Sequence, residues 1–231
     1  MRFIITGANR GIGLELARQT TARGDTVVAA VRDPGAATDL RDLAASLPDP
    51  QALRIYPCDI ASDESVRAFA RAIGEEPLDV LINNAGVMGK MQSLEELDLA
   101  DVLSTYNVNA LGPIRVTRAV LPLIRRGGAR KIVHITSGMG SISDNTSGGA
   151  YGYRMSKAAL NMASKSMSVD LSGERILSVV MNPGWVQTDM GGSGAPTPVT
   201  ESASKMLTLI DRLTMADTGK FFDFRGHTLD Y

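Results

Sequence analysis

Phe3-Ile4-Ile5-Thr6-Gly7-Ala8-Asn9-Arg10-Gly11-Ile12-Gly13 is the stretch that decides the fold. FIIT is a short apolar run of strand type, and from Gly11 to Arg23 the pattern is helical. Glycines between the two let the backbone turn tightly and approach a ligand closely. The start of a helix offers unpaired N–H groups and a partial positive charge to a pyrophosphate. The spacing Gly-x-x-x-Gly-x-Gly differs from the common Gly-x-Gly-x-x-Gly fingerprint and lacks the Lys-Ser/Thr of a nucleoside-triphosphate loop. A glycine turn that only packs helix on strand is the plainer alternative. The strand before and helix after favour a phosphate loop, with Gly7, Asn9, Arg10, Gly11 and Ile12 as its contacts.

The same order repeats along the chain. Thr26–Val31 precedes a helical pattern at Thr38–Leu47, and Ile55–Cys58 precedes Asp63–Ile73, with Ser62 placed to cap it. Val80–Ile82 precedes one long helix from about Leu97 to Arg125, and Lys131–Thr136 precedes a helix reaching about Leu171. Ile176–Met181 precedes a helix near Glu201–Leu213, and Phe221–Phe224 closes the series. Unbroken apolar runs suit strands buried on both faces, as in parallel sheets. Alternating strands and helices with short connections predict an α/β fold. The expectation is one Rossmann-type, doubly wound parallel sheet of about seven strands, with helices on both faces, over residues 1–231.

Composition narrows the class. A formal charge of −1 supplies no basic field for nucleic acid or an anionic membrane. The single cysteine, Cys58, cannot form an internal disulfide, and the two histidines, His134 and His227, lack metal-ligand spacing, so no metal is expected. No apolar run approaches the ~20 residues that span a bilayer. Met1 leads straight into strand-like sequence without the pattern of a signal peptide, so the expected location is cytoplasmic.

In such sheets ligands bind beyond the carboxyl ends of the strands. After the second strand stands Ala30-Val31-Arg32-Asp33. Val31 cannot accept hydrogen bonds from ribose hydroxyls, whereas Arg32 can pair with a 2′-phosphate and Arg10 can reach it from the glycine loop. This favours NADP over NAD, although a shift of one residue would make Asp33 a ribose acceptor. After the third strand, Asp59 is placed to accept from an adenine amino group beside Ile60, or to cap the next turn. After the fourth, Asn83 reads as architecture, and Asn84-Ala85-Gly86 as lining for the cofactor.

Tyr153 and Lys157 lie one turn apart on a helix and share a face. An ammonium beside a phenol of reference pKa about 10 is expected to lower it. Such a tyrosine can exchange a proton with an alcohol or carbonyl oxygen. Tyr151, six residues from Lys157, points elsewhere.

Thr6-Gly7-x-x-x-Gly11-x-Gly13, Asn83-Asn84-Ala85-Gly86, Asn109, Ser137, Tyr153-x-x-x-Lys157 and Pro183-Gly184 occur in that order, and the sequence resembles the short-chain dehydrogenase/reductase family over essentially its whole length. Asn107–Pro113, Ala150–Ala159 and Pro183–Gly192 carry a closer resemblance to its group of C-factor- and sniffer-like carbonyl reductases. The resemblance implies a catalytic set of Asn109, Ser137, Tyr153 and Lys157. Ser137 would hold a substrate oxygen, with Ser141 and Ser143 as rivals, and Lys157 would also bind the nicotinamide ribose. Pro183, Gly184, Val186 and Thr188 would line the nicotinamide. In relatives the Asn109 carbonyl binds a relay water. Its fourth residue onward is Pro113, which has no N–H. Pro113 therefore frees that carbonyl and bends the helix, or kinks it for packing alone.

An NADP(H)-dependent reduction of aldehydes or ketones is the implied activity. A C-factor-like dinucleotide-binding regulator with little turnover is the alternative. Hydrolysis by Ser137 lacks a base, since His134 points to the other face of its strand. Only a short, glycine-rich segment around 188–213 is expected to cover a small-molecule carbonyl or alcohol substrate, with Met88, Met139, Trp185 and Met190 as apolar walls. By resemblance the protein forms a homodimer or homotetramer through the helices carrying Asn109 and Tyr153. The Arg125–Lys131 run, RRGGARK, reads as a solvated helix end, with an anion site as the alternative.

Overall fold

A computed structural model describes residues 1–231. Eight strands form one sheet: β1 (Arg2–Thr6), β2 (Thr26–Val31), β3 (Leu53–Pro57), β4 (Val80–Asn83), β5 (Lys131–Ile135), β6 (Leu177–Asn182), β7 (Phe221–Asp223) and β8 (Thr228–Leu229). Their spatial order is β3-β2-β1-β4-β5-β6-β7-β8. All neighbours are parallel except the last pair, in which β8 returns antiparallel on β7. This short eighth strand, set by the turn around Gly226, was not expected from the sequence.

The helices are α1 (Gly11–Ala22), α2 (Thr38–Ser46), α3 (Asp63–Ala72), α4 (Leu99–Tyr106), α5 (Gly112–Arg126), α6 (Tyr151–Asp170) and α7 (Val199–Arg212). Successive strand side chains alternate between faces, and each face here has its own core. Phe3, Ile5, Val27, Ala29, Val80 and Ile82 pack towards α1, α2 and α7. Ile4, Val28, Ala30 and Leu81 pack towards α3 and α5. The apolar runs are unbroken because both faces are covered.

Two expectations change. The long helix from Leu97 is three pieces: α4, a π turn at Asn107–Leu111, and α5. In the π turn the Asn107 carbonyl accepts the Gly112 N–H, one residue beyond the α-helical partner. The break just before Pro113 thus takes the form of a widened turn, one of the recognised helix irregularities. The segment 188–213 also divides. Its Val199–Arg212 portion is α7, whose Ala203, Met206, Leu207 and Ile210 are buried in the first core. The packing against α1 leaves 188–198 as the portion able to cover a substrate.

Candidate active site

The chain runs from β1 outward to β3 and then crosses to β4, so the order reverses between β1 and β4. The carboxyl ends on either side of that crevice are the ligand positions of a doubly wound sheet.

At β1, Gly7 and Gly11 take φ of +65° and +53°. A Cβ on Gly7 would stand 2.8 Å from Ala85 Cα, so the loops after β1 and β4 touch. Arg10 is extended just before α1, and no side chain caps that helix. Its first N–H groups are therefore available to an anion. Thr6 Oγ1 accepts from Asn84 N and Ala85 N at 3.0 Å each. Asn84 Nδ2 donates to the Thr6 carbonyl at 2.9 Å and to that of Gly7 at 3.2 Å. Asn84 therefore braces the glycine loop with its side chain.

At the end of β2, Arg32 is exposed. Asp33 Oδ1 accepts from Gly35 N at 2.8 Å and Ala36 N at 3.3 Å, closing its own turn. Its Oδ2 is left without a partner. Arg10 remains on the glycine loop, and its exposed Nη1 pairs with Asp189 Oδ2 at 2.8 Å. Asp59 Oδ1 accepts from Ala61 N at 3.0 Å, the turn-capping alternative. Ile60 is buried against Gly112, where a Cβ would lie 2.7 Å from Ile60 Cδ1.

Asn109 is fully buried in the π turn. Its Oδ1 accepts from Val87 N and its Nδ2 donates to the Val87 carbonyl, both at 2.8 Å. The amide thus pairs with the loop after β4 as a strand would. Nδ2 also donates to Ser156 Oγ at 3.0 Å, and Ser156 Oγ donates to the Tyr153 carbonyl at 2.8 Å. Asn83 acts as architecture, donating to Thr117 Oγ1 at 3.1 Å and to His134 Nδ1 at 3.2 Å. Burial, aided by the Lys157 charge, pushes the His134 pKa down to about 3.

Ser137 follows β5 and its Oγ accepts from Met139 N at 3.1 Å. Its hydroxyl also lies close enough to the Tyr153 phenol to lower the phenol's pKa. Burial outweighs this effect, and the Tyr153 pKa rises above its ordinary value. The expected lowering by Lys157 is not what the geometry produces. Lys157 is itself buried, its Nζ donates to the Ile135 carbonyl at 2.9 Å, and burial pushes its pKa down to about 8. Gly86 completes the cluster: a Cβ there would stand 3.1 Å from Asn109 Oδ1 and 3.6 Å from Lys157 Nζ. Ser141 and Ser143 are engaged with each other at 3.2 Å, and Ser143 Oγ donates to the Tyr231 carbonyl at 3.0 Å. Tyr151 only opens α6.

After β6, Gly184 takes φ +84°, and the Pro183 carbonyl accepts from Ser202 Oγ at 2.7 Å. Val186 is buried and bridges to Thr197. A Cβ on Gly11 would lie 3.3 Å from Thr188 Cγ2, bringing this loop to the glycine loop. The segment onward is held by Gly192 N to the Thr188 carbonyl at 2.8 Å and by Trp185 Nε1 to the Gly191 carbonyl at 2.7 Å. Despite its glycines it is a hydrogen-bonded turn.

The RRGGARK run lies at the other end of the sheet, beside a hollow of about 280 Å³ lined by Gly127–Lys131, Arg175 and Leu213–Met215. Arg125 pairs with Glu174 at 2.6 Å and Arg126 with Glu75 at 3.4 Å, while Lys131 Nζ donates to the Ile210 and Asp211 carbonyls. These cations are committed to helix ends and carboxylates; Arg125 and Arg126 are exposed as the solvated reading expects, whereas Lys131 is buried at the start of β5.

Several supporting residues escaped the sequence reading. Ser156 and Asn161 are the clearest. Asn161 accepts from Thr136 Oγ1 at 2.7 Å and donates to the Gly140 carbonyl at 3.1 Å, tying the Ser137 loop to α6. Ser156 follows Tyr153 by three residues and Asn161 follows Lys157 by four, so both share the face of the Tyr–Lys pair. Small polar residues on a face that must be buried were the available signal. Asp189 gave none, because its partner is 179 residues away.

The assembled site holds a protonated phenol, a neighbouring hydroxyl and a buried ammonium beside an uncapped helix start that suits a dinucleotide phosphate. A family model described as short chain dehydrogenase matches residues 2–197. C-signal of Myxococcus xanthus is 54% identical over 161 residues, covering 70% of this chain and 97% of that protein. The structure of the carbonyl reductase Sniffer of D. melanogaster superposes with a TM-score of 0.93 at 34% identity, covering 100% of this chain and 99% of that one. An NADPH-bound carbonyl reductase from chicken fatty liver gives 0.93 at 33% identity, covering 100% and 98%. With its fold, the order of its motifs and these likenesses in agreement, the chain belongs to the short-chain dehydrogenase/reductase family of oxidoreductases.

Proposed function

We propose that the protein is an NADP(H)-dependent carbonyl reductase in which Tyr153 protonates the substrate oxygen. The observation that carries this reading is the buried Tyr153 phenol, held protonated beside the Ser137 hydroxyl with the Lys157 ammonium over its ring. A protonated acid suits reduction, where the carbonyl oxygen gains a proton. A bound nicotinamide would supply the hydride.

The first turn of α1 and the backbone of Gly7, Asn9, Gly11 and Ile12 would hold the pyrophosphate. Arg32 and Arg10 would hold the 2′-phosphate, and Asp59 with Ile60 the adenine. Asn84, Ala85 and Gly86 would line the ribose side, and Pro183, Gly184, Val186 and Thr188 the carboxamide side. The exposed Arg32 at the end of β2 and the NADPH bound to the chicken relative support NADP(H) over NAD(H). Ser137 positions the substrate oxygen, Lys157 keeps positive charge near the phenol, and the Asn109 carbonyl leads protons to solvent. The walls offered to substrate are apolar and open: Trp185 is 61% and Met190 44% exposed. This suits varied or bulky aldehydes and ketones. Exposed Leu99 and Leu103 on α4 and Met155 and Met162 on α6 support self-association through those helices.

The test is NADPH oxidation against a panel of aldehydes, ketones, diketones and quinones, with Tyr153→Phe as control. Tyr153-dependent turnover on any of them supports the reading. The 54% identity to C-signal favours a second reading, a dinucleotide-binding regulator. Cofactor binding with no Tyr153-dependent turnover would select it.

A further inference from the structure

We propose that Asp189 is a cofactor-selectivity residue that competes with the 2′-phosphate of NADP(H) for Arg10. The inference rests on the NADP(H) reading above. Arg10 stands at the start of α1, and Asp189 follows Thr188 on the loop after β6. The two loops meet at Gly11 and Thr188, and the ion pair closes beside that contact with Nη1 and Oδ2 at 2.8 Å. The pair therefore ties the phosphate loop to the loop after β6, beside their contact.

The two arginines of the proposed phosphate site differ in their state. Arg32 is exposed and forms no ion pair, whereas Arg10 already has a carboxylate. A phosphate that takes Arg10 through its Nη1–Nη2 fork displaces Asp189 from Nη1, the one nitrogen that holds it. Breaking the pair is modest in cost, since its side chains are 65% and 75% exposed and such surface pairs are weak. The penalty falls on NADP(H) alone, because NAD(H) presents no 2′-phosphate to draw Arg10 away.

Calorimetric titration of the full chain with NADPH and with NADH tests this by binding, without turnover. Asp189→Asn should tighten NADPH about threefold, the scale of an exposed pair, and leave NADH unchanged. Combined with Arg10→Gln, the same substitution should have no effect on NADPH. Unchanged NADPH affinity in Asp189→Asn would overturn the proposal. So would equal tightening of NADPH and NADH, or tightening that persists with Arg10→Gln, since both signify plain repulsion between Asp189 and the phosphates. A wild-type protein that binds NADH as tightly as NADPH would overturn the cofactor reading itself. A wild-type preference for NADPH with no response to Asp189→Asn would overturn the Asp189 proposal alone.

Discussion

The Lys157 ammonium stands over the Tyr153 ring, 5.7 Å from its centre, and gives its hydrogen bond to the Ile135 carbonyl at 2.9 Å. It is a buried cation with no carboxylate partner, held where it opposes stability. Burial lowers its pKa from 10.5 to about 8, so below pH 8 both folded and unfolded chains carry the proton and the full cost of burying it applies. Between pH 8 and 10.5 the unfolded chain holds more protons, and stability rises with pH. Lys157→Met removes the charge and should stabilise the protein at pH 7 by on the order of 2 kcal/mol while abolishing turnover. Urea denaturation should show the gap between mutant and wild type shrinking towards pH 10. A less stable mutant, or a gap independent of pH, would contradict the account.

In the proposed reductase the same lysine should set the alkaline limb of activity. Tyr153 has its pKa above the ordinary value, so it stays protonated well past neutrality. The group that changes state first is Lys157, near pH 8. Carbonyl reduction should therefore fall as pH rises through about 8, as Lys157 loses its proton. Ser137→Ala removes the hydroxyl that lowers the Tyr153 pKa and should reduce kcat about a hundredfold or more. A kcat/KM profile flat to pH 10 would remove Lys157 from this role.

The strand and helix series was legible because sheet burial on both faces leaves nearly unbroken apolar runs, as in Thr26–Val31. The meeting of the loops after β1, β4 and β6 was legible too, since in such sheets the strand ends gather at the crevice where the order reverses. What escaped depends on packing and on distant partners. The direction of the Tyr153 shift needed its burial as well as its neighbour. The core position of α7 needed its contact with α1, because an apolar helical face does not say whether it meets core or substrate. The π turn was out of reach of the reading of Pro113: a missing N–H is visible in sequence, a widened turn beginning at Asn107 is not.

That π turn can be tested. Pro113→Ala supplies the N–H that the Asn109 carbonyl lacks as an α-helical partner. Tightening the turn should shift the Asn109 side chain from Val87 and Ser156, which it now holds at 2.8 and 3.0 Å. The expected result is kcat lowered by up to about a hundredfold, a changed solvent isotope effect, and little change in NADPH affinity. If kcat and the isotope effect match wild type, the turn exists for packing alone.

Two glycines separate the phosphate loop from the covering segment. A Cβ on Gly13 would collide with the Gly7 carbonyl and stand 2.5 Å from Asn84 Nδ2, the atom that braces the loop. Neither neighbour can yield without moving the loop. Gly13→Ala should therefore cost about 1–3 kcal/mol, lower Tm by several degrees, and weaken dinucleotide binding by at least about tenfold. A methyl group on Gly194 would meet nothing within 4 Å, and the backbone there has no positive φ. Gly194→Ala should leave binding intact and stabilise by a few tenths to about 1 kcal/mol, through the unfolded chain. Thermal melts with and without NADPH distinguish the two. Normal NADPH-dependent stabilisation of Gly13→Ala would show that the loop bearing Asn84's hydrogen bonds is not where the phosphates lie.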